Sequence, residues 1–457
     1  MTRHVQALVV GGGISGLVCS YALQKAGIEV FLAEASARPG GVISSLKRNG
    51  YLLELGPQSF SCTAQLRSLC AELAIADQLL EAPPHAPRYV LVNGKLQAVP
   101  MSPPAFFTSS LITGATKWAL VRDMLGKSVP PEADESVASF IRRKFTEQLL
   151  DRLVGPFVSG VYAGDPEKLS LRSAFLQLYE AEKTAGSIVR GMVRLSKSKK
   201  GAREKPTLST FREGNETLVR ALANRLESAI LTRTSATNLY KQNDGSFHVS
   251  LEGSSTDSVS TKCVILATPT DVAGKLLARL EPSFEALLTT VEYAAVAVVS
   301  LGYEKKDVGH SLDGFGFLLP RSAGLRILGT VWNSSLFPGR APEGHALFTT
   351  FVGGATDPAV ANLGPEELSS LVHREIGPLL SIKKAPTFCN VTIWPRALPQ
   401  YNLGHGDRLA SITRNLSRFP GLFLAGNYLR GPAIGACVEQ ALSVAEVVRA
   451  MSLNEAC

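Results

Sequence analysis

The feature that most constrains this chain is a glycine-rich turn set between a strand pattern and a helix pattern. Gly11-Gly-Gly13-Ile14-Ser15-Gly16 follows directly on the apolar run Val5–Val10. Leu17, Val18, Tyr21, Ala22 and Ala26 then recur at helical spacing, Gly27 stops the helix, and residues 28–33 read as a second strand ending at Glu34. Strand, GxGxxG, helix and strand within about 30 residues make a βαβ unit suited to a dinucleotide. Each glycine has a physical reason. Gly11 permits the tight turn, Gly13 carries no Cβ to block a pyrophosphate, and Gly16 lets the helix lie close on the strand. The helix N-terminus offers N–H groups and a partial positive charge to the phosphates. Glu34 stands where it can accept hydrogen bonds from a ribose and repels a 2′-phosphate, which argues against NADP.

Composition narrows the class. A chain of 457 residues with 45% apolar and 19% charged residues is a folded protein of two or three packed units. The formal charge of +8 suggests a polyanion partner, but the excess is local. Eight basic residues between Lys183 and Lys205 face one acid, Glu204, so that stretch carries +7 of the total. Nucleic-acid binding over a broad face is therefore not expected. The seven cysteines are odd in number and show no CxxC spacing, which reads as free thiols in a reducing compartment. The histidines are scattered without HExxH, so no metal site is expected. The strand pattern beginning at Val5 leaves no room for a signal peptide. Leu96–Thr116 is uncharged but holds Pro100, Pro103 and Pro104, and does not read as a membrane-spanning helix.

Past Glu34 the chain reads Ala35-Ser-Ala-Arg38-Pro-Gly40-Gly41. Glu34, Arg38 and the glycine pair resemble the FAD-containing amine-oxidase superfamily, in which a second glycine turn passes close to the cofactor. Two later segments fit that resemblance. Val264-Ile-Leu-Ala267-Thr268-Pro is a strand ending in a turn. Gly421-Leu-Phe-Leu-Ala-Gly426-Asn427 is another, followed by Gly431-Pro-Ala-Ile434-Gly and an amphipathic helix to about Met451. The N-terminus of that helix is suited to the electron-rich edge of a flavin.

Patches along the whole chain resemble the oxygen-dependent protoporphyrinogen IX oxidase family within that superfamily. They include Gly50-Tyr-Leu-Leu-Glu-Leu-Gly56-Pro57, Arg88-Tyr-Val, Ser159-Gly-Val-Tyr-Ala-Gly164-Asp-Pro and Phe211-Arg-Glu-Gly-Asn. Gly314-Phe-Gly-Phe-Leu318, Leu328-Gly-Thr-Val331, Thr349-Thr-Phe351, Trp394-Pro and Pro399-Gln-Tyr continue the series. The resemblance implies non-covalent FAD held by Gly11, Gly13, Ile14, Ser15, Gly16, Glu34, Ala35, Arg38, Gly40, Gly41, Gly56, Pro57, Ala236, Ala267, Thr268, Trp394, Gly426, Asn427 and Ile434. It implies that Arg88 pairs with a substrate propionate, that Leu318 and Val331 press on the macrocycle, and that Phe351 stacks on a pyrrole. Gln58 and Gly164 complete that wall. Gln58 stands where many members carry Asn and Val331 where several carry Leu, departures that bear on pocket width and inhibitor affinity. The implied reaction passes hydride from a bridge carbon to flavin N5, with O2 as final acceptor and no side-chain base.

The expected fold is a three-part α/β flavoprotein. A discontinuous Rossmann-like FAD unit takes residues 1–79, 208–271 and 411–457, and a mixed-sheet substrate unit takes 80–100, 182–207 and 272–410. A helical insert spans 101–181. Helices are expected over 108–125, 136–153 and 170–195, with Phe106, Phe107, Leu111, Ile112 and Trp118 beside Lys117 and Arg122 as an interfacial surface. The basic run from Lys183 would add attraction to anionic lipid. The resemblance thus implies a peripheral membrane protein facing the cytoplasm or an organelle surface. A homodimer and hand-over to a chelatase stay open. So do a coproporphyrinogen III oxidase of the same fold, which by resemblance lacks the arginine at 88, an amine oxidase or carotenoid desaturase, and a flavin-bound scaffold without turnover.

Overall fold

A computed structural model of the chain describes residues 2–198, 206–253 and 256–455. Lys199, Lys200, Arg203 and Lys205 of the basic run lie outside them. Two seven-stranded sheets carry the architecture. The first orders its strands Ile230–Leu231, Val30–Ala33, Thr2–Val10, Ser258–Leu266, Phe247–Glu252 and Ser235–Lys241, with Leu422–Leu424 continuing beside the far end of Ser258–Leu266. Its central pairings are parallel: Val10 lies opposite Leu266 on one side and Ala33 on the other. Parallel strands are covered on both faces and so read as unbroken apolar runs. Ala7, Val9, Leu32 and Ile265 pack toward Leu17, Leu218 and Val438 of three helices. Leu8, Val10, Phe31 and Val264 pack toward Ala273, Phe284 and Ile412 on the opposite side.

The second sheet runs Phe388–Pro399, Tyr293–Glu304, His345–Gly353, Ile327–Trp332, Gly316–Leu318, Arg88–Val92 and Lys95–Ala98. One face buries Ala297, Val299, Phe348 and Val352 against Leu368, Val372 and Ile376 of helix Pro365–Leu380.

Between strands Lys95–Ala98 and Thr207–Phe211 the chain forms a helical region that differs from its sequence reading. Three long helices were expected there, and the chain forms shorter pieces because polar caps restart it. Thr113 caps Gly114–Leu125 after Pro103–Thr108, Thr146 restarts the chain beyond Val137–Lys144, and Gly186 in the left-handed region ends Leu176–Ala185. Ser136 caps the segment expected to begin there, accepting from the Ser139 N–H at 3.1 Å. Leu111 and Ile112, expected at an interface, are instead 2% and 3% exposed and pack on Val90 and Val92. Phe107 and Trp118 remain 52% and 68% exposed. Among the described residues no helix is long and apolar enough to cross a membrane.

A buried ion pair ties the two-stranded sheet of Ser45–Arg48 and Tyr51–Glu54 to the loop ahead of strand His345–Gly353. Arg340 Nη1 donates to Glu54 at 2.7 Å, with both side chains 2% exposed. Ser45 Oγ and the Asn215 N–H also donate to the Glu54 carboxylate, and Arg340 donates to Thr210 Oγ1 at 2.5 Å. Burial pushes the Glu54 carboxyl above its ordinary range, and Arg340 pulls against that shift. A pair so placed is near break-even in stability, whereas removing one partner strands a buried charge. Arg340→Met should therefore cost roughly 3–5 kcal/mol in urea unfolding. Adding Glu54→Gln to that variant should recover part of the loss, and purely additive losses would contradict the coupling.

Candidate functional site

Four chain segments that are distant in sequence meet at the carboxyl ends of the parallel strands, the edge where open α/β sheets bind ligands. Thr2–Val10 delivers Gly11, Val30–Ala33 delivers Glu34, Ser258–Leu266 delivers Ala267 and Thr268, and Leu422–Leu424 delivers Gly426 and Asn427. The turn is as tight as its glycines require. A β-carbon on Gly11 would lie 2.6 Å from the Ala267 carbonyl, and one on Gly16 would lie 1.9 Å from the Gly11 carbonyl. One on Gly13 would meet nothing within 4 Å. Gly13 thus faces open space at the N-terminus of Ile14–Lys25, where no side chain caps the helix. Ser15 is buried just inside that helix.

The second glycine turn packs on the first. The Gly40 N–H donates to the Gly12 carbonyl at 2.7 Å, and a β-carbon on Gly41 would sit 3.5 Å from Gly13 Cα. Arg38 holds that turn by donating to the carbonyls of Pro39, Gly41 and Ile43. Its role here is internal to the loop. Glu34 accepts from the Gly12 N–H at 2.5 Å and from Ser36 at both N–H and Oγ, while Ala35 is exposed beside it. Thr268 Oγ1 is buried without a hydrogen-bond partner, and its methyl lies 3.2 Å from where a Gly11 β-carbon would be. An uncapped helix end, a vacant glycine face and an orphaned hydroxyl fit a dinucleotide pyrophosphate. Ala236 lies half-buried on the antiparallel ribbon of the same sheet. Ile434 opens the last helix with its side chain in the core, and Cys437 one turn on is a buried thiol pushed up to about 11 by burial, hence protonated.

Asn427 and Tyr428 are fixed from outside that edge. The Tyr401 hydroxyl donates to the Asn427 carbonyl, and His405 Nε2–H donates to the Tyr428 carbonyl at 2.9 Å. His405 is 1% exposed and stacks on Tyr401 at 4.6 Å. Burial lowers its pKa to about 4, so it stays neutral in the fold.

The open face of the second sheet gathers most of the remaining candidates. Arg88 is paired with Gly316, Gly316 with Val331, and Val331 with Thr349. Two residues along, Val90, Leu318, Gly329, Phe351 and Val298 form the next row, and Trp394 follows opposite Val296. Directly paired residues share a face, as do residues two apart. Arg88, Leu318, Val331, Phe351 and Trp394 therefore project from one side of one sheet. Leu318, Val331 and Phe351 are half-buried along this row. Arg88 stands exposed at its end, 5.3 Å over the Phe315 ring, with no carboxylate partner among the described residues. Helix Gly155–Tyr162 packs on this face, so closely that a β-carbon on Gly160 would lie 2.4 Å from Leu318 Cδ2. Gly164 follows in a turn where Gln400 Nε2 donates to the Tyr162 carbonyl at 2.9 Å.

The turn Leu55–Gln58 joins the two regions. Trp394 Nε1 donates to the Leu55 carbonyl at 2.7 Å, and Asn215 Nδ2 to the Pro57 carbonyl at 2.8 Å. Gln58 Nε2 donates to the carbonyls of Glu54 and Gly56, and Gln58 Oε1 accepts from Asn333 Nδ2 at 2.9 Å. Sequence reading missed Asn333, Arg340, Asn215 and His405. Asn215 lay inside a quoted patch, while the other three carry no local signal of burial.

Residues 14–449 match the flavin containing amine oxidoreductase family. The chain belongs to that family. It is a flavin-dependent oxidoreductase, and its fold is that of the family's solved members. A crystal structure from Exiguobacterium sp. 255-15 superposes with a TM-score of 0.82 at 23% identity, covering 99% of each chain. The chain is 37% identical to the chloroplastic protoporphyrinogen oxidase of Oryza sativa subsp. japonica, over 96% of this chain and 87% of that protein. It is 29% identical to the coproporphyrinogen III oxidase of Bacillus subtilis (strain 168), over 96% of each.

Two outcomes follow from the geometry. Gly13→Val should leave apoprotein melting unchanged, since its side chain enters open space, yet abolish flavin retention on purification. Gly16→Ala should lower apoprotein melting as well. Equal flavin content in wild-type and Gly13→Val protein would remove the pyrophosphate from this turn. For His405, the unfolded chain takes up a proton near pH 6.5 that the folded protein refuses until about pH 4. Its contribution is complete above pH 6.5 and is lost as the pH falls toward 4, at about 1.4 kcal/mol per unit. Denaturant titrations of His405→Asn across that window should show a shallower acid slope than the wild type.

Proposed function

We propose that the protein is an oxygen-dependent protoporphyrinogen IX oxidase that binds FAD non-covalently. The reading is carried by the sheet face on which Arg88, Leu318, Val331 and Phe351 lie in register. That face ends at Trp394, whose indole bonds the turn leading to the nucleotide edge. The bound flavin supplies the redox chemistry, taking hydride equivalents at N5 and passing them to O2 as H2O2. Everything else falls to the chain. Its apolar row takes a flat macrocycle and excludes water, with Leu318 and Val331 against the ring and Phe351 stacked on a pyrrole. Arg88 offers a forked, charge-assisted contact to a propionate at the mouth. Residues 11–16, Glu34, Thr268 and Gly426 cradle the cofactor. The pyrrole N–H groups release protons by tautomerisation, so orientation is the protein's main contribution to rate.

The same reading assigns the FAD unit to the first sheet, the substrate unit to the second, and a membrane-facing role to the helical region. Met101, Phe107, Trp118 and Leu125 are 63%, 52%, 68% and 74% exposed there, near Lys117 and Arg122, which suits an interfacial surface.

Under argon, protoporphyrinogen IX should bleach the flavin absorbance rapidly and coproporphyrinogen III slowly, and the reverse order would make the protein a coproporphyrinogen III oxidase. Arg88→Ala should raise KM about tenfold, in line with about 1.5–3 kcal/mol for a charge-assisted contact. An unchanged KM would remove Arg88 from the substrate's carboxylate.

A further inference from the structure

The turn Leu55–Gln58 is held by donors from three directions. Trp394 reaches it from one edge of the second sheet, Asn333 from the end of strand Ile327–Trp332, and Asn215 from the first-sheet side. Gln58 is 6% exposed and Asn333 4% exposed, so the bond between them is buried. All polar atoms of the Gln58 amide that the turn uses are engaged within the protein: Nε2 on two carbonyls and Oε1 on Asn333. A buried amide so committed has little capacity left for a ligand. Asn333 is the first residue after strand Ile327–Trp332, two positions beyond Val331, so its bond ties the end of that strand to the turn.

We infer that Gln58 and Asn333 form a positioning link that sets the separation and angle between the cleft face and the cofactor edge. This rests on the proposed function, since the distance matters only where a substrate carbon must meet a flavin. The link touches neither reacting atom. A small displacement of a bound reactant lowers the rate steeply while leaving its binding almost intact, because alignment is sampled only in the transition state. Loss of the link should therefore act on kcat rather than KM. A link between polar amides can also be rebuilt with its two lengths exchanged, which a packing role would not permit.

The test compares Asn333→Ala, Gln58→Met and the exchange variant Gln58→Asn/Asn333→Gln, each as FAD-loaded protein. In the two cut variants, flavin reduction at saturating protoporphyrinogen IX should fall at least tenfold, with KM within threefold of wild type and flavin visible circular dichroism unchanged. The perturbation of the flavin absorption band by added protoporphyrin IX, a readout that needs no turnover, should shrink in both. The exchange variant should recover reduction to within threefold. Unchanged reduction in a folded cut variant, a loss confined to KM, or an exchange variant no better than the cuts would overturn the link. So would failure of both cut variants to fold, which would make it an ordinary core contact. Wild-type protein that no porphyrinogen reduces refutes the proposed function instead. If protoporphyrin IX also leaves its flavin band unperturbed, the link falls too.

Discussion

Everything in this protein depends on one parallel pairing between strands that the sequence keeps far apart. Thr2–Val10 lies beside Ser258–Leu266 in continuous register, and Leu422–Leu424 is added on the far side. That arrangement puts Gly11, Ala267 and Gly426 on one edge, so this edge exists only once both ends of the chain have returned to it. Non-local pairing of this kind is slow to form, because chain entropy is lost before contacts compensate. What favours it is apolar burial on both faces of the sheet, which no hairpin of the same residues could supply.

The second sheet must then be held in place against the first, and the chain uses polar contacts for that. Hydrophobic packing is strong but tolerant of small shifts, whereas hydrogen bonds have a narrow range of distance and angle. Arg340, Glu54, Asn215, Gln58 and Asn333 form a connected buried set across the junction. Such a set adds little net stability, since desolvation offsets most of its attraction. Its value lies in geometry. The exposed pairs of the helical region, such as Arg142 with Glu147 and Glu167, serve no comparable purpose, being solvated and individually weak.

The division between what could and could not be read from the sequence follows the range of the physics. The cradle was legible because its requirements are local: a turn without β-carbons, a helix beginning at once, an acid at the end of the next strand. Arg88, Leu318, Val331 and Phe351 could be named and grouped around one substrate from resemblance, but the face they share could not be derived from the residues. Their common face is a matter of register across four strands, and a slip of one residue would have turned each to the opposite side. Leu111 and Ile112 were misplaced for a related reason. An apolar residue in a short turn between helices reads the same whether it meets lipid or Val90, and only the packing of the insert onto the sheet decides. Arg340 was the hardest case. It sits in Phe337-Pro-Gly-Arg340, a loop that reads as solvated, and its burial depends on Glu54, far away in the sequence.

A redox centre that resides in a cofactor leaves the polypeptide one main variable, the placement of the reactant relative to the flavin. The structure divides that task by material. The cofactor edge is made of backbone, with glycines where side chains would intrude and carbonyls tied to neighbouring strands. The cleft is made of side chains on a rigid sheet, apolar except at its mouth. Between them stands a four-residue turn in which Pro57 restricts one torsion and Trp394, Asn215 and Gln58 claim the carbonyls of Leu55, Pro57 and Gly56. A turn with its acceptors so occupied has few alternative conformations, and rigidity at the joint sets the relative placement of cleft and cofactor edge. Wider clefts or different rim charges could then be fitted to other substrates without moving the joint.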